Sequence, residues 1–464
     1  MLTVAQMVAA EDALIAAGSS ISELMHRAGT RAAQWVWRVS GGGPVTIVTG
    51  PGNNGGDGYV IAESIRQRGG EAQVIAPLAP ATDAAREAQA RFGGEILDSS
   101  AALSGEVFVD CLFGSGLSRR LEPKHEALLH RLAASHRLSI AVDVPSGIEA
   151  DTGALLADDL PLYSLTLALG AWKRAHFLMP AMQHMGALRL VDIGIAAVDD
   201  AASLIAPPSI APPAMDAHKY TRGLLCVVGG EMPGAGLLAA QAAQRAGAGY
   251  VKLLSRNRIA SPPADLVAVK APGDASLGRS AGDERVSALL VGPGLGRSAS
   301  ARERLGQVLS MDKPTVLDAD ALMLVSPAML EKRSAAVIAT PHGGELAALE
   351  KAFGLRGLGA KPERATNLAQ AMNALVIAKG ADTVVAAPDG RLAFAPPASS
   401  WLSTAGTGDV LAGIVASRLA TGSDPFDAAC EGVWLHGAAA RLAGSAFAAG
   451  DLVENLPEAI NRCV

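Results

Sequence analysis

The chain has 464 residues, and domains usually run to about 100–200, so two or three domains are expected. Half of it is hydrophobic and 18% is charged, which excludes disorder and, without a Gly-X-Y period, collagen. Lys and Arg (39) against Asp and Glu (45) leave a net charge of −6, so no broad basic field invites nucleic acid or an anionic membrane.

The N-terminus lacks a basic region ahead of its apolar run, which Glu11 and Asp12 interrupt. Neither a signal peptide nor a membrane span is expected. Cys111, Cys226, Cys430 and Cys463 are scattered without ligand spacing, as in a reducing, cytoplasmic compartment. Met25, Ala28, Ala32, Trp35 and Val36 share one helical face. Val45–Thr49 then reads as a strand entering a Gly-rich loop, Gly50 to Gly58, followed by a helix from Tyr59 to Arg68. Further buried strands are expected at Gln73–Ala76, Val107–Leu112, Ser139–Val144, Ser164–Leu169 and Leu188–Val191. Continuous apolar strands separated by helices predict a parallel sheet covered on both faces.

Ile205 to Ala214 holds four prolines, which neither donate to a ladder nor continue a helix. It divides the chain into residues 1–205 and 215–464, with 206–214 as an extended linker. In the second half, strands are expected at Leu224–Val228, Tyr250–Leu254, Ala288–Val291, Thr315–Leu317, Ala335–Ala339 and Ala374–Ala378. Thr383–Ala386 and Arg391–Ala395 form a hairpin through Pro388-Asp389-Gly390, and helices close the chain from Asp409 and from Asp427. Both halves are α/β.

Three strands of the first half end in polar residues: the Gly-rich loop with Asn54, Val109-Asp110, and Val142-Asp143 followed by Ser146. An open parallel sheet binds ligands at such carboxyl ends, so these residues are expected to converge. Their oxygens suit a hard cation and disfavour zinc. In the second half, Thr404-Ala405-Gly406-Thr407-Gly408-Asp409 opens an apolar helix. The small residues would cradle an anion, and Asp409 could take a proton from a substrate hydroxyl, although an N-capping role is the plainer alternative. Gly292 to Gly296, Asp318-Ala319-Asp320, Thr340 to Glu345 and Lys379 to Thr383 follow other strands.

Glu23-Leu24-Met25, GPGNNGGDG, DCLFGSGL and DVPSGIEADTG resemble the epimerase domain of the bifunctional NAD(P)H-hydrate repair enzymes over roughly residues 1–200. Pro233-Gly234-Ala235, the Arg245 to Gly249 run, GPGLG, VLDADAL and AGTGDVLAG resemble their ribokinase-like dehydratase domain, from about His218 to Pro457. The resemblance implies a Rossmann-like three-layer first domain and a ribokinase-like three-layer second. It places the hydrated nucleotide on Asn53, Asn54, Gly55, Gly56 and Asp57, on Gly114, Ser115, Gly116, Leu117, Ser118, Arg119 and Arg120, and on Asp143. Potassium falls to Asn54, Asp110 and Ser146; Glu149 replaces the family's usual Asp outside that set. In the second domain, Lys379, Gly380, Ala381, Asp382, Thr383 and Gly408 would contact the adenine nucleotide, with Mg²⁺ neutralising the phosphate. Ala235 or Gly236, Gly294 or Gly296, His342 and Asp409 would contact the hydrate. Gly343 stands where Pro usually follows the His, and Ala405 where the first Gly of the anion loop usually stands.

The implied reactions are interconversion of the R and S hydrates, with Asp143 acting, then phosphorylation of the S hydroxyl, with Asp409 acting, and loss of phosphate to restore NADH or NADPH. ADP is the implied donor, and the residues alone do not separate it from ATP. A cytoplasmic homo-oligomer without nucleic-acid or membrane partners is expected. A non-catalytic scaffold and a ribokinase-like small-molecule kinase are the competing readings. Intact Asn54, Asp110 and Asp143 oppose the first; the attached epimerase-like domain and the His342 motif oppose the second.

Overall fold

A computed structural model describes residues 1–464 as two compact units, Met1–Ala201 and Ala202–Val464. The first is built on strands β1 (Val45–Thr49), β2 (Ala72–Ile75), β3 (Ile96–Leu97), β4 (Gly105–Cys111), β5 (His136–Val142), β6 (Leu165–Leu169) and β7 (Ala187–Val191). Their order is β3-β2-β1-β4-β5-β6-β7, and every pairing is parallel. Strand alternation sorts the side chains into two layers. Val45, Ile47, Val109 and Val142 join the core beneath helices Ile21–Ser40 and Asn53–Gln67, while Val48, Phe108 and Ala141 join Leu128 and Leu129 of helix Pro123–Ser135. Burial on both faces is why these strands read as unbroken apolar runs.

Helix Ile21–Ser40 starts at a capping box: Glu23 N donates to Ser20 Oγ at 3.1 Å, and Ser20 N to Glu23 Oε2 at 2.7 Å. Such a cap stabilises a helix by about 1 kcal/mol. The Gly-rich segment departs from the expected loop, because the helix begins at Asn53, not Tyr59. The glycines answer to packing. A Cβ on Gly55 would lie 2.0 Å from Gly50 O, on Gly56 2.4 Å from the Met25 side chain, and on Gly58 2.8 Å from Thr49 Cγ2. The helix can therefore lie close against β1 and aim its N-terminus at the point where strand order reverses, between β1 and β4.

The second unit carries β8 (Ser203–Leu204), β9 (Leu224–Val228), β10 (Tyr250–Ser255), β11 (Val267–Lys270), β12 (Val286–Val291), β13 (Thr315–Leu317), β14 (Val337–Ala339), β15 (Leu375–Ala378), β16 (Val384–Ala386) and β17 (Leu392–Phe394). The order is β11-β10-β9-β12-β13-β14-β15-β16-β17-β8, with β16 antiparallel to both neighbours. The hairpin turns at Gly390, where φ is 97°. Strand order reverses between β9 and β12, and helices Pro233–Arg245 and Thr407–Ala420 pack together over that point.

The proline segment is fastened to this second unit. Ser203 and Leu204 pair with Ala393 and Phe394, Ile205 N donates to Phe394 O at 2.9 Å, and Ile210 N to Cys463 O at 2.7 Å. Both isoleucines are buried in second-unit cores. The prolines have no N–H to offer, so Ile205 ahead of them and Ile210 between them make the anchors, and the compact units divide at Ala201/Ala202.

Candidate active sites

In the first unit a cavity of about 650 Å³ opens at the carboxyl ends of β1, β4 and β5. Asn53, Asn54, Asp57, the loop Gly114 to Arg119, Asp143 and Lys173 line it, and helix Val4–Ala16 adds Met7 and Glu11. Asp143 follows β5 with φ 68°, a left-handed conformation costly for a residue with a Cβ. Three groups hold it there. The Lys173 ammonium pairs with Oδ1, Ser115 N donates to Oδ2 at 3.0 Å, and His176 Nε2 donates to its carbonyl at 2.8 Å. Lys173 N donates to His176 Nδ1 at 2.9 Å, which leaves the ring hydrogen on Nε2. Burial, then Lys173, lowers that imidazole to about 4, so it stays neutral.

Burial pushes the Asp143 carboxyl up, but the Lys173 charge and the Ser115 N–H outweigh it and hold the group below its ordinary value. Asp57 behaves in the opposite way. It is 7% exposed, and burial followed by the charges of Asp143 and Glu11 raises it well above the carboxylate range. Burial also raises Glu11. One cavity thus holds a carboxylate pushed below its ordinary value and two carboxyls pushed above theirs.

Lys173 is the residue the sequence reading missed. It is 1% exposed and also donates to Leu169 O at 2.6 Å, the last residue of β6. The strand-end rule applied to β6, as it was to β1, β4 and β5, would have found it.

Asp110 and Ser146 lie beneath the cavity floor. Asp110 Oδ1 accepts from Leu112 N (3.0 Å) and Ser146 Oγ (2.7 Å), and Oδ2 from Ser146 N (2.9 Å) and Tyr163 Oη (2.6 Å). Asn54 makes no hydrogen bond to either. Both of its side-chain polar atoms are buried and unpartnered, and a Cβ on Gly114 would lie 3.1 Å from its Cγ and 3.2 Å from Asp143 Oδ2. Of the other expected contacts, Gly55 and Gly56 face inward against Gly50 and Met25, and Arg120 pairs with Asp158 on the surface, so these three do not line the cavity. Glu149 receives the N–H groups of Asp151 and Thr152 and tightens its own loop.

In the second unit Asp409 occupies the first turn of helix Thr407–Ala420, after Gly406 with φ 91°. Thr407 Oγ1 donates to Leu402 O at 2.9 Å and ties the loop in place. Lys379 Nζ donates to Asp318 Oδ1 at 2.8 Å and lies 3.9 Å from Glu345 Oε2; a Cβ on Gly408 would be 3.4 Å from it. The lysine therefore stands beside the anion loop. Thr340 Oγ1 adds a 2.6 Å bond to Asp318, and Ala319 takes φ 47° between Asp318 and Asp320. Asp320 receives Gly296 N at 2.9 Å and Arg297 Nε at 2.7 Å. Burial first, then Asp318, raises Asp409 to about 6, with Asp320 and Glu345 adding to the rise and Lys379 opposing it.

His342 N-caps helix Gly343–Ala352: its Nδ1 accepts from Gly344 N at 3.0 Å, and Glu345 answers to its N–H at 2.9 Å. Its ring remains largely exposed, with Nε2 3.4 Å from Glu345 Oε1. Gly343 is the first helical residue, the position Pro favours, which explains why either residue serves there. Asp382 faces Lys361 at 2.6 Å, and Gly380 and Thr383 bond one another, so the Lys379–Thr383 turn is self-supporting. Gly294 and Gly296 pack on Met232 and Glu231, where a Cβ would lie 2.0 and 2.4 Å away. Ala235 and Gly236 open helix Pro233–Arg245.

Residues 21–175 match the family model of the YjeF-related protein N-terminus, and residues 225–462 that of NAD(P)H-hydrate dehydratase. The chain is 32% identical to the bifunctional NAD(P)H-hydrate repair enzyme of Gloeobacter violaceus, over 94% of this chain and 92% of that one. It is also 32% identical to the Escherichia coli enzyme of that name, over 96% and 90%. Among solved structures, a ribokinase-like superfamily protein from Enterococcus faecalis aligns over 58% of this chain and 98% of its own, with TM-score 0.50 and 21% identity, a likeness of fold. An ADP/ATP-dependent NAD(P)H-hydrate dehydratase from Bacillus subtilis, co-crystallised with ATP/Mg²⁺, is 29% identical over 55% and 95%, with TM-score 0.47. With both halves matched in order along one chain, this protein belongs to the family of bifunctional NAD(P)H-hydrate repair enzymes.

Proposed function

We propose that the first unit interconverts the R and S hydrates of NADH and NADPH, and that the second dehydrates the S form at the expense of a nucleotide, ADP by preference. One observation supports both halves of this reading. Each unit follows a sheet strand with a buried aspartate bound to a lysine, Asp143 to the buried Lys173 and Asp318 to the half-buried Lys379, beside a helix N-terminus suited to phosphate. A scaffold has no use for two such desolvated pairs, because burying charge costs stability.

In the second unit, the N–H groups at the start of helix Thr407–Ala420 and the Lys379 ammonium would hold the transferring phosphate. Asp409 would accept the proton of the C6 hydroxyl as that oxygen attacks. Phosphate is a better leaving group than hydroxide: it departs with the C6–O electron pair as the N1 lone pair forms N1=C6, and loss of a C5 proton to water then restores the C5=C6 double bond. Asp318 and Glu345, 2.8 and 3.9 Å from the Lys379 ammonium, are the carboxylates that would hold a divalent cation brought in with the nucleotide. When bound, Mg²⁺ supplies positive charge to the phosphate oxygens.

In the first unit, the orphaned amide oxygen of Asn54 fits a potassium ion held by Asn54, Asp110 and Ser146. When bound, it supplies charge that fixes the loops after β1, β4 and β5. No helix of the structure is long and apolar enough to cross a membrane, in keeping with a cytoplasmic enzyme; a homo-oligomer completes the reading. The test is incubation of purified protein with mixed hydrates and ADP or ATP, following the absorbance of reduced cofactor. Recovery of both epimers supports the reading. A stable phosphorylated product without reduced cofactor would make the protein a small-molecule kinase instead.

A further inference from the structure

Helix Val4–Ala16 is part of the first site. Leu2 N donates to Trp172 O at 2.8 Å, Val4 N to Asp151 Oδ1 at 2.8 Å, and Leu2 bridges to Lys173, so the segment carrying the buried lysine also anchors the helix. Its residues Val4, Met7, Val8 and Glu11 line the cavity. These fall at i, i+3, i+4 and i+7, one face of a helix. Three are apolar and one is a carboxyl. Glu11 sits too far along the helix to act as its N-cap, which is Thr3, and the Lys173 charge acts on it.

We propose that Glu11 is the proton donor of the epimerisation, passing a proton to ring nitrogen N1 as Asp143 takes one from the C6 hydroxyl. The proposal rests on the epimerase reading of this unit. C6 of the hydrate is a hemiaminal carbon, bonded to both the hydroxyl and N1. Asp143 removes the hydroxyl proton, the oxygen pair forms a C6=O bond, and the C6–N1 pair passes to N1, which takes the Glu11 proton. Rotation about C5–C6 turns the other aldehyde face toward N1. Closure reverses each transfer: N1 forms the bond and returns its proton to Glu11, and the oxygen recovers its proton from Asp143. Nothing is oxidised, no co-reactant is consumed, and both carboxyls end as they began.

Asp143, Lys173 and Glu11 line the same cavity, and environments that push two carboxyls in opposite directions assign the roles of base and acid. Lys173 and Ser115 keep Asp143 ionised. Burial raises Glu11, with Asp143 and Asp12 adding to the rise and Lys173 opposing it, while Asp57, itself raised, couples to both.

The test measures epimerisation of purified R hydrate by the full-length protein and its Glu11→Gln and Glu11→Asp variants. Dehydration of S hydrate by the same preparations reports intact protein. Glu11→Gln should lose about 10²–10⁴ in kcat with little change in KM, and should lose the fall in rate on the alkaline side of the pH profile. Glu11→Asp should restore part of the rate and that fall. Wild-type epimerisation with a Glu11→Gln rate within about threefold would overturn the proposal. So would equal losses in both variants with an unchanged pH profile, the mark of a packing role. Absence of epimerisation in the wild type would instead refute the epimerase reading itself.

Discussion

Replacing Lys173 by Met would remove the only cation from beside Asp143 and leave the surrounding apolar contacts a side chain of similar length. Lys173 is 1% exposed and Asp143 7%, so neither charge can turn to bulk water. Breaking one side of a buried pair costs about 3–5 kcal/mol. Each kcal/mol shifts the melting temperature by about 2–4 °C in a domain of 150–250 residues, so the unit Met1–Ala201 should melt about 6–20 °C lower at neutral pH. The pH dependence carries a sign. Asp143 is held below its ordinary value when folded, so its contribution is present above the unfolded value and is lost as pH falls through the folded one. The gap between wild type and Lys173→Met should therefore narrow on acidification, where Asp143 takes up a proton in both. Asp143→Asn combined with Lys173→Met should recover stability relative to Lys173→Met alone, yet remain without epimerisation. Calorimetry of the full chain across pH would measure all three. A gap that stays constant or widens as pH falls would refute the reasoning.

Asp409→Asn should lower dehydration by about 10²–10⁴, keep most nucleotide affinity, leave epimerisation unchanged, and abolish a rise in rate with pH centred on about 6. Because that carboxylate is strained when ionised, the variant should melt no lower than wild type above that pH, whereas a capping role predicts a loss. Crystals soaked in rubidium or thallium should show an anomalous peak among Asn54, Asp110 and Ser146; no peak there would remove potassium from the site. Residues 1–201 and 202–464 should each fold cooperatively when expressed alone. A second unit shortened to begin at Met215 should be less stable than 202–464, since it exposes the pockets of Ile205 and Ile210, each side chain contributing about 1.5–3 kcal/mol when buried; equal melting of the two would refute the anchoring argument.

The central strands were legible because burial on both faces leaves an unmistakable apolar signature, as in Val45–Thr49 and Leu224–Val228. Edge strands were not. Ile96–Leu97 and Ser203–Leu204 are two residues long, and Val267–Lys270 is largely uncovered, so none carries a pattern that distinguishes it from a loop. The Gly-Asn-Asn-Gly-Gly-Asp run misled for a related reason. Glycine signals both a flexible loop and a helix pressed against a strand, and only the backbone oxygen of Gly50 and the Met25 side chain decide between them. Asp110, Asp143 and Asp409 were found because they end strands or open helices. Glu11 was not, because its meaning depends on a helix folding back over a sheet whose first strand begins at Val45.

The two units place a carboxylate at a strand end (Asp143) and in a helix's first turn (Asp409) and shift them in opposite directions, and the lysines contribute to the difference. Lys173 pairs with Asp143 itself, so the carboxylate at the first site is held below its ordinary value and stays ionised. Lys379 pairs with Asp318 and only opposes the burial of Asp409 from a distance, leaving that group near 6. A base so placed is ionised at neutral pH yet close enough to protonation to accept a hydroxyl proton during phosphoryl transfer. Moving the countercharge would change the chemistry. A lysine paired directly with Asp409 would hold it below its ordinary value, as Lys173 holds Asp143, and the rise in dehydration rate with pH would move below about 6.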